Sequence, residues 1–308
     1  MAADPWVVLA AAAVEGVLAY PAWLRIPHPV AWVGACLRRL ESALNHGGDL
    51  RRRAAGVLTL LLVGGGAAVA GYLLDRFLHG WALILTIALA STGLAARSLY
   101  DHVAAVSRAL DPGANLPLAR AAVAMIVGRD TAALDEEGVA SAALESLAES
   151  FNDGVVAPLF WFLVGGLAGL FAYKAVNTAD SMIGHREEPY RCFGWAAART
   201  DDLMNLIPAR IAGALIALVA GRGWRVMLRH AAKHASPNSG WPEAAMAGAL
   251  GVRLGGPASY DGVPHDRPTF GEGPRPSPLD LRQGLGLYLR ACAVIAAALA
   301  LGGLLWPR

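Results

Sequence analysis

Charged residues divide this chain into long uncharged runs. Ala54–Leu74 lies between Arg53 and Asp75, Phe77–Ala96 between Arg76 and Arg97, Gly154–Tyr173 between Asp153 and Lys174, and Ala291–Pro307 between Arg290 and Arg308. Each approaches the roughly 17–25 residues that a helix needs to cross a hydrocarbon core. Two further runs, Pro5–Leu24 and Leu203–Gly221, are interrupted by Glu15 and Arg210. The pattern predicts an all-α, polytopic integral membrane protein with four to six membrane segments and long connectors, forming a single domain over 1–308. Of the two longest connectors, Arg97–Asp153 reads as helical, with breaks at Asp111-Pro112-Gly113 and near Gly128. Arg222–Arg290 reads as helical through about His234 and loop-like thereafter, where Gly and Pro accumulate.

Composition agrees with a membrane setting: 56% of residues are hydrophobic and only 16% charged, where soluble domains run near a quarter charged. Alanine favours lipid only weakly, so a soluble helical protein with a large core is the alternative. The leucine-rich 58–63 and the Trp/Phe-rich 159–163 segments weigh against it. The first residues carry Asp4 and no basic region, so the first apolar segment is expected to stay in the mature protein. The net charge of +2, without a basic stripe interleaved with aromatics, gives no sign of nucleic-acid binding. Cys36, Cys192 and Cys292 are far apart and read as reduced, without ligand spacing for zinc.

The connectors Arg25–Arg53, with six arginines, and Arg222–Arg290, with nine basic residues, are expected on the cytoplasmic side. Strict alternation of six segments would then place 175–202 outside. A turn at the glycine pair Gly165-Gly166, making 154–173 re-entrant, would return it to the inside. Both topologies stay open at this level.

Candidate chemistry falls into four clusters. Ser141, Glu145, Glu149 and Asp153 share one face if a helix runs through them. Like charges at that spacing repel, so a divalent cation at Glu145, Glu149 and Asp153 is one reading and a solvated acidic face the other. Lys174, Asn177, Thr178 and Ser181 share a helix face, with Asp180 following Asn177 by three; a lysine there can also snorkel to the interface. Asp201 and Asp202 stand at an expected helix entrance, where capping would explain one of them. With Asn205 nearby, they precede Arg210, an intramembrane arginine that should face Asp201, Asp202 or a bound anion. The stretch from Ser236 to Ala244, containing Asn238, Trp241 and Glu243, reads as a polar, proline-punctuated binding loop or a passive stiff one. The patterns GxxxxGK[ST], GxGxxG before a helix, and HExxH are absent.

In order along the chain, these segments resemble the CobD/CbiB family of cobalamin biosynthesis, the cobinamide or cobinamide-phosphate synthases. The resemblance begins at His28-Pro29-Val30 and Gly34 and continues through Gly128-Arg129-Asp130-Thr131 and Glu145-Ser-Leu-Ala-Glu149. It then takes in Asp153-Gly-Val-Val-Ala-Pro-Leu-Phe-Trp161, Tyr173-Lys-Ala-Val-Asn-Thr178, Asp180-Ser181, Phe193-Gly194, Ala197-Ala-Arg199, Asp201-Asp202, Asn205 and Pro208-Ala-Arg210. Its last parts are Ser236-Pro-Asn238, Gly240-Trp-Pro-Glu243 and Leu254-Gly-Gly-Pro257. Three departures are local: Ala19-Tyr20-Pro21 replaces a usual Gly-Asp-Pro, Ser150 a usual Asn, and Ser239 a usual Ala.

The resemblance implies a multi-pass enzyme of the cell inner membrane whose active site faces the cytoplasm, on connectors 98–153, 175–202 and 222–285. The implied reaction joins aminopropanol, or its O-phosphate, to the propionate carboxylate of adenosylcobyric acid. ATP serves as co-substrate and magnesium as the expected cation. On that picture Glu145, Glu149 and Asp153 hold the metal and nucleotide, Lys174 and Arg210 stabilise phosphoryl charge, and Asp180, Asp201 or Asp202 takes the amine proton. Asn177, Thr178, Ser181, Asn205, Ser236, Asn238, Trp241 and Glu243 bind substrates. Expected partners are the corrinoid, the amine, the lipid bilayer and other membrane enzymes of the corrinoid pathway. The rival is a non-enzymatic membrane sensor or transporter of the AmpE type, which should concentrate polar groups mid-span, where only Glu15 and Arg210 qualify.

Overall fold

The structure is a computed structural model, and it describes residues 2–20, 27–78, 82–111 and 115–306. Pro21, Leu24, Pro112, Gly113 and Pro307, which belong to expected elements or motifs, lie outside them. In chain order the helices are α1 (Pro5–Leu18), α2 (Pro29–Leu44), α3 (Asp49–Leu60), α4 (Gly66–Phe77), α5 (Leu83–Ser91), α6 (Ala96–Ala109), α7 (Leu116–Ala124) and α8 (Glu136–Phe151). They continue as α9 (Ala157–Ile183), α10 (Tyr190–Phe193), α11 (Trp195–Met204), α12 (Leu206–Ala220), α13 (Trp224–His230), α14 (Gly240–Leu250) and α15 (Pro278–Leu305). Among the described residues, four helical stretches are long and apolar enough to cross a membrane: Asp49–Phe77, Leu83–Ala109, Glu136–Ile183 and Pro278–Leu305. The protein is thus a polytopic helical membrane protein. The interrupted runs appear as the shorter α1 and as the pair α11 and α12, broken at Asn205.

Contacts group the chain into two compact units. The first comprises Met1–Ala95, Ala157–Asn205 and Leu299–Arg308; the second comprises Ala96–Val156 and Leu206–Ala298.

In the first unit, glycines let backbones approach closely. A Cβ on Gly56 would meet the Phe193 carbonyl, and one on Gly71 the backbone of Leu167. Gly64 faces Val176, so the second half of α9 lies along α3 and α4. Leu37, Val63, Ala175, Ala179, Ile183, Phe193 and Ala197 close a core between these elements. The stretch Glu136–Ile183 would be about 72 Å long if straight, more than twice a hydrocarbon core. It is broken at Gly166, whose φ of 60° and ψ of −154° only glycine adopts readily. Past the break the chain turns sharply. A Cβ on Gly169 would lie 2.3 Å from the Trp161 carbonyl oxygen, although eight residues of unbroken helix span about 12 Å. Asp75 caps the new helix start, its Oδ2 accepting from the Leu167 N–H at 3.0 Å. The break falls within the glycine pair that the second topology required.

In the second unit, α8 is capped by Asp135, whose side chain accepts from the Gly138 N–H at 2.8 Å. Twelve consecutive and flanking positions of α8, from Gly138 to Ala148 and Phe151, are buried, so it is a core helix with no solvated face along most of its length. Two expectations need correction. Asn152–Val156 is a π-turn, and the extra residue per turn takes Asp153 off the face shared by Glu145 and Glu149. The expected loop from Ser236 to Ala244 is loop only to Ser239, because Gly240–Leu250 is helix. Pro242 is tolerated in its first turn, where no i−4 carbonyl awaits its missing N–H. Short antiparallel pairs follow, Leu254–Gly255 with Thr269–Phe270 and Ala258–Tyr260 with Val263–His265.

Gly166→Ala should lower stability by about 1–3 kcal/mol through backbone strain alone. Gly165→Ala, at a position with open space around it, should leave it unchanged. Denaturation of the two variants in detergent micelles tests this, and equal effects would contradict a break confined to Gly166.

Candidate functional site

Each unit gathers its own set of polar residues. In the second unit the centre is Glu145, 3% exposed on α8. Its Oε1 accepts from the Ser141 hydroxyl at 2.9 Å and the Gly255 N–H at 3.1 Å. Its Oε2 is paired with Arg129 and stands 3.0 Å from Nη1 of Arg267. Ser141 arrives from one helical turn earlier. Gly255 arrives because its φ of 78° and missing side chain bring the first short strand against the Pro268 carbonyl, leaving Arg267 beside the carboxylate. Arg129 is held by its neighbour: Asp130 accepts from the Gly262 N–H at 2.8 Å and donates its own N–H to the Ser259 carbonyl at 2.8 Å. A carboxylate this deeply buried is stable only when paired and fully hydrogen-bonded, which these contacts accomplish.

Above this cluster, Ser236–Ser239 forms a tight turn. The Ser236 hydroxyl accepts from the N–H groups of Asn238 and Ser239 at 3.2 and 3.5 Å. Ser239, at a position of departure from the family pattern, donates to Glu149 Oε1 at 2.9 Å, a contact alanine could not make. Nδ1 of His234 accepts from the Ser236 N–H at 2.9 Å, so the neutral ring carries its proton on Nε2. That Nε2 faces Glu243 Oε1 at 3.6 Å, too far for a hydrogen bond. Glu243 is 1% exposed, and among the described residues its Oε2 has no hydrogen-bond partner. Burial, reinforced by Glu149 and Glu145, raises its pKa well above the ordinary carboxylate value, against the pull of Arg267 and Arg129. Burial likewise holds His234 below its usual value, against the opposing pull of Glu149. A carboxyl group whose pKa is raised and an imidazole whose pKa is lowered therefore face each other. Nearby on α12, the Arg210 guanidinium lies 4.6 Å from the centre of the Trp241 ring and donates to the Leu206 carbonyl at 2.5 Å. Arg210, expected to face Asp201, Asp202 or a bound anion, makes a cation–π contact with Trp241 among the described residues, worth about 0.5–2 kcal/mol.

In the first unit, Asp201 accepts from Asn177 Nδ2 at 3.3 Å and Asn205 Nδ2 at 2.9 Å, and Asn205 Oδ1 accepts from the Tyr173 hydroxyl at 3.1 Å. Asp180 and Asp202 add negative charge around Asp201, and Asp202 also pairs with Arg199 at 3.2 Å. Asp201 and Asp202 stand in the last turn of α11, so they do not cap a helix entrance as expected. The Thr178 hydroxyl is spent on the Lys174 carbonyl at 2.6 Å, within its own helix. Lys174 lies close enough to His28 to depress the imidazole's pKa, an effect second to burial. Ser181 is exposed.

The structure thus joins Glu145, Glu149, Ser236, Asn238, Trp241, Glu243 and Arg210 within one unit and Lys174, Asn177, Asp180, Asp201, Asp202 and Asn205 within the other. It does not assemble the expected metal set. Among the described residues no three His, Cys, Asp or Glu side chains are arranged to hold a metal ion. Glu145 is already neutralised by two arginines, and Asp153 is turned away by the π-turn, its Oδ1 accepting from Asn152 at 2.7 Å. Sequence reading passed over Arg129, although it lies in a matched motif, and also Arg267. Nothing local marks Arg267, whose partner is remote in sequence.

Comparison with known proteins gives these motifs their context. The CobD/Cbib protein family model matches residues 8–288. The chain belongs to the CobD/Cbib family. Among its relatives, the cobalamin biosynthesis protein CobD of Rhodobacter capsulatus is 52% identical, over 92% of this chain and 91% of that one. Those of a Sinorhizobium species and of Geobacter metallireducens are 47% and 48% identical, covering 89% and 88% of this chain and 90% and 87% of theirs. No solved structure matches. Every polar group described above, in either unit, falls within the span that matches the CobD/Cbib family.

Glu145→Gln should cost about 3–5 kcal/mol, because it strands two half-buried guanidinium groups. Glu149→Gln, at an exposed position, should change stability by less than about 1 kcal/mol. Chemical denaturation separates the two, and equal small losses would mean that Arg129 and Arg267 are not held by Glu145.

The raised pKa of Glu243 has a pH signature. The folded chain keeps a proton that the unfolded chain releases above the ordinary value of 4.5. Its stabilising contribution is full below that pH and is lost as pH rises toward the folded value. Glu243→Gln has no proton to lose, so its stability relative to the unsubstituted protein should improve as pH rises above the ordinary carboxylate value of 4.5. A melting-temperature difference independent of pH would show that Glu243 is ionised in the folded protein.

Proposed function

We propose that this protein acts in cobalamin biosynthesis as an amide-forming ligase. It joins aminopropanol, or its O-phosphate, to the propionate carboxylate of adenosylcobyric acid at the expense of ATP, at the cytoplasmic face of the inner membrane. The observation that carries the reading is the second unit's polar cluster. Matched family motifs supply the Arg210 guanidinium, held over the Trp241 ring, and the buried Glu243, whose pKa is raised, beside the His234 imidazole, a combination suited to anionic, phosphorylated reactants. The names of the relatives point the same way, and they do not favour the AmpE-type sensor or transporter.

A carboxylate and an ammonium do not condense at neutral pH, so the carboxylate must be activated. In this reading a propionate oxygen attacks the γ-phosphorus of ATP, and ADP departs with the electron pair of the broken P–O bond. The amine nitrogen then attacks the acyl carbon, phosphate leaves, and the nitrogen loses a proton. Arg210 and Lys174 offset phosphoryl charge. Arg210 is suited to this because its guanidinium is already oriented by the Trp241 ring and the Leu206 carbonyl. Asp180, Asp201 and Asp202 are the candidate acceptors of the amine proton, with Asn177 and Asn205 orienting Asp201. Asn238, Ser236, Trp241 and Glu243 contribute to substrate binding, with Thr178 and Ser181 as neutral hydroxyls near Lys174. Glu145, Glu149 and Asp153 do not fit a common metal ion, so magnesium enters this reading only as the counter-ion of the nucleotide phosphates.

The test is purified protein in detergent with adenosylcobyric acid, ATP, magnesium and either amine, followed by mass spectrometry. The expected product has the mass of the amide and appears with one ADP per amide. Arg210→Gln, which removes the charge and with it the cation–π contact, should lower turnover by about tenfold to a thousandfold. Absence of amide with both amines would overturn the proposal.

A further inference from the structure

The second unit holds a cavity that none of the residues above lines. Its volume is about 380 Å³, and its walls include Arg222, Arg290, Gln283, Leu250, Leu287 and Ala220. That size is within the range of small-molecule sites, about 300–1,000 Å³.

Arg222 follows the apolar helix α12 by two residues, and Arg290 immediately precedes the uncharged part of α15. Both guanidinium groups therefore stand where an apolar helix meets its polar continuation, at the level of lipid headgroups. An arginine at such a boundary ordinarily extends into water. These two are exposed, and each is also hydrogen-bonded to a neighbouring element. Arg222 Nε donates to the Ala249 carbonyl at 2.6 Å, and Arg290 Nη1 donates to the Val219 carbonyl at 3.4 Å. Among the described residues no carboxylate forms an ion pair with either. Two positive charges are thus fixed over one cavity, with Gln283 as a neutral donor and Leu250, Leu287 and Ala220 as apolar walls. Nothing in the lining supplies the countercharge.

We propose that this cavity binds a phosphate-bearing ligand, its two oxygens or more held by Arg222 and Arg290. Planar guanidinium forks match phosphate geometry. The same chemistry is offered by the headgroup of an anionic phospholipid, with its acyl chains along the apolar walls, and by a free phosphate from the aqueous side. Basic pockets between membrane helices are a known setting for the first. The inference does not depend on the proposed reaction.

The experiment follows the thermal stability of detergent-purified protein titrated separately with phosphatidylglycerol, phosphatidylcholine and inorganic phosphate. A ligand of the folded state raises the melting temperature in proportion to its occupancy. Phosphatidylglycerol should give a saturable rise that phosphatidylcholine does not, with half-saturation weakened about fivefold by Arg222→Gln and again by Arg290→Gln. A rise with inorganic phosphate that is equally arginine-dependent would support the site and assign it to a soluble phosphate. If the double variant fails to fold, the single variants decide. Unchanged half-saturation for all three ligands in both would overturn the proposal, as would the absence of any rise in the unsubstituted protein.

Discussion

One buried carboxylate organises the second unit. Glu145 draws Arg129 from the connector before α8, Arg267 and the Gly255 N–H from the segment after α14, and Ser141 from its own helix. Burying a charge is costly in proportion to what is left unpaired. These distant segments therefore succeed or fail together: without the arginines the carboxylate has no place in the core, and without the carboxylate two guanidinium groups repel. The Gly255 conformation, the Asp130 contacts that hold Arg129 and the short strands around Arg267 all serve this junction. Its neighbour Glu243 forms no ion pair with an arginine among the described residues and meets the same constraint differently, through a pKa raised by burial.

The first unit solves its polar problem with amides. Asp201 is surrounded by Asn177 and Asn205, and Asn205 by Tyr173, so the charge is met by neutral donors on helices already packed through glycine contacts. Neutral donors leave a carboxylate able to accept a proton, whereas paired guanidinium groups suppress that ability. Asp201 and Glu145 thus sit in different surroundings, amides around one and guanidinium groups around the other, a reason to look for proton acceptance near Asp201.

Much of the architecture was legible because a charge inside hydrocarbon is so unfavourable that uncharged runs mark the spans almost by themselves. Ala54–Leu74 and Ala291–Pro307 fall within the apolar helices Asp49–Phe77 and Pro278–Leu305, apart from Pro307 itself. The break at Gly166 was visible as a glycine pair, although only the backbone angles tell which glycine turns. Other features were not legible. The π-turn at Asn152–Val156 shifts Asp153 by a fraction of a turn, which no side-chain pattern announces. The helix from Gly240 was hidden by Pro242, a residue that breaks helices in the interior and starts them at the first turn. Arg267 lay in a stretch without periodicity, and its role depends on a carboxylate far away in the sequence. The ordered motifs identified the polar groups; which of them touch was a question for the tertiary structure.

The imidazole of His234 has a consequence for the turn above it. Its Nδ1 stands 2.9 Å from the Ser236 nitrogen and 3.3 Å from the Ser236 carbonyl oxygen. A neutral ring must accept from the first, and a doubly protonated ring must donate to the second. The proton count of one side chain is thereby written into the backbone of Ser236, and through the Ser236 hydroxyl into Asn238 and Ser239. A proton arriving at this ring would trade an accepted Ser236 hydrogen bond for a donated one, at the same peptide segment that opens the turn.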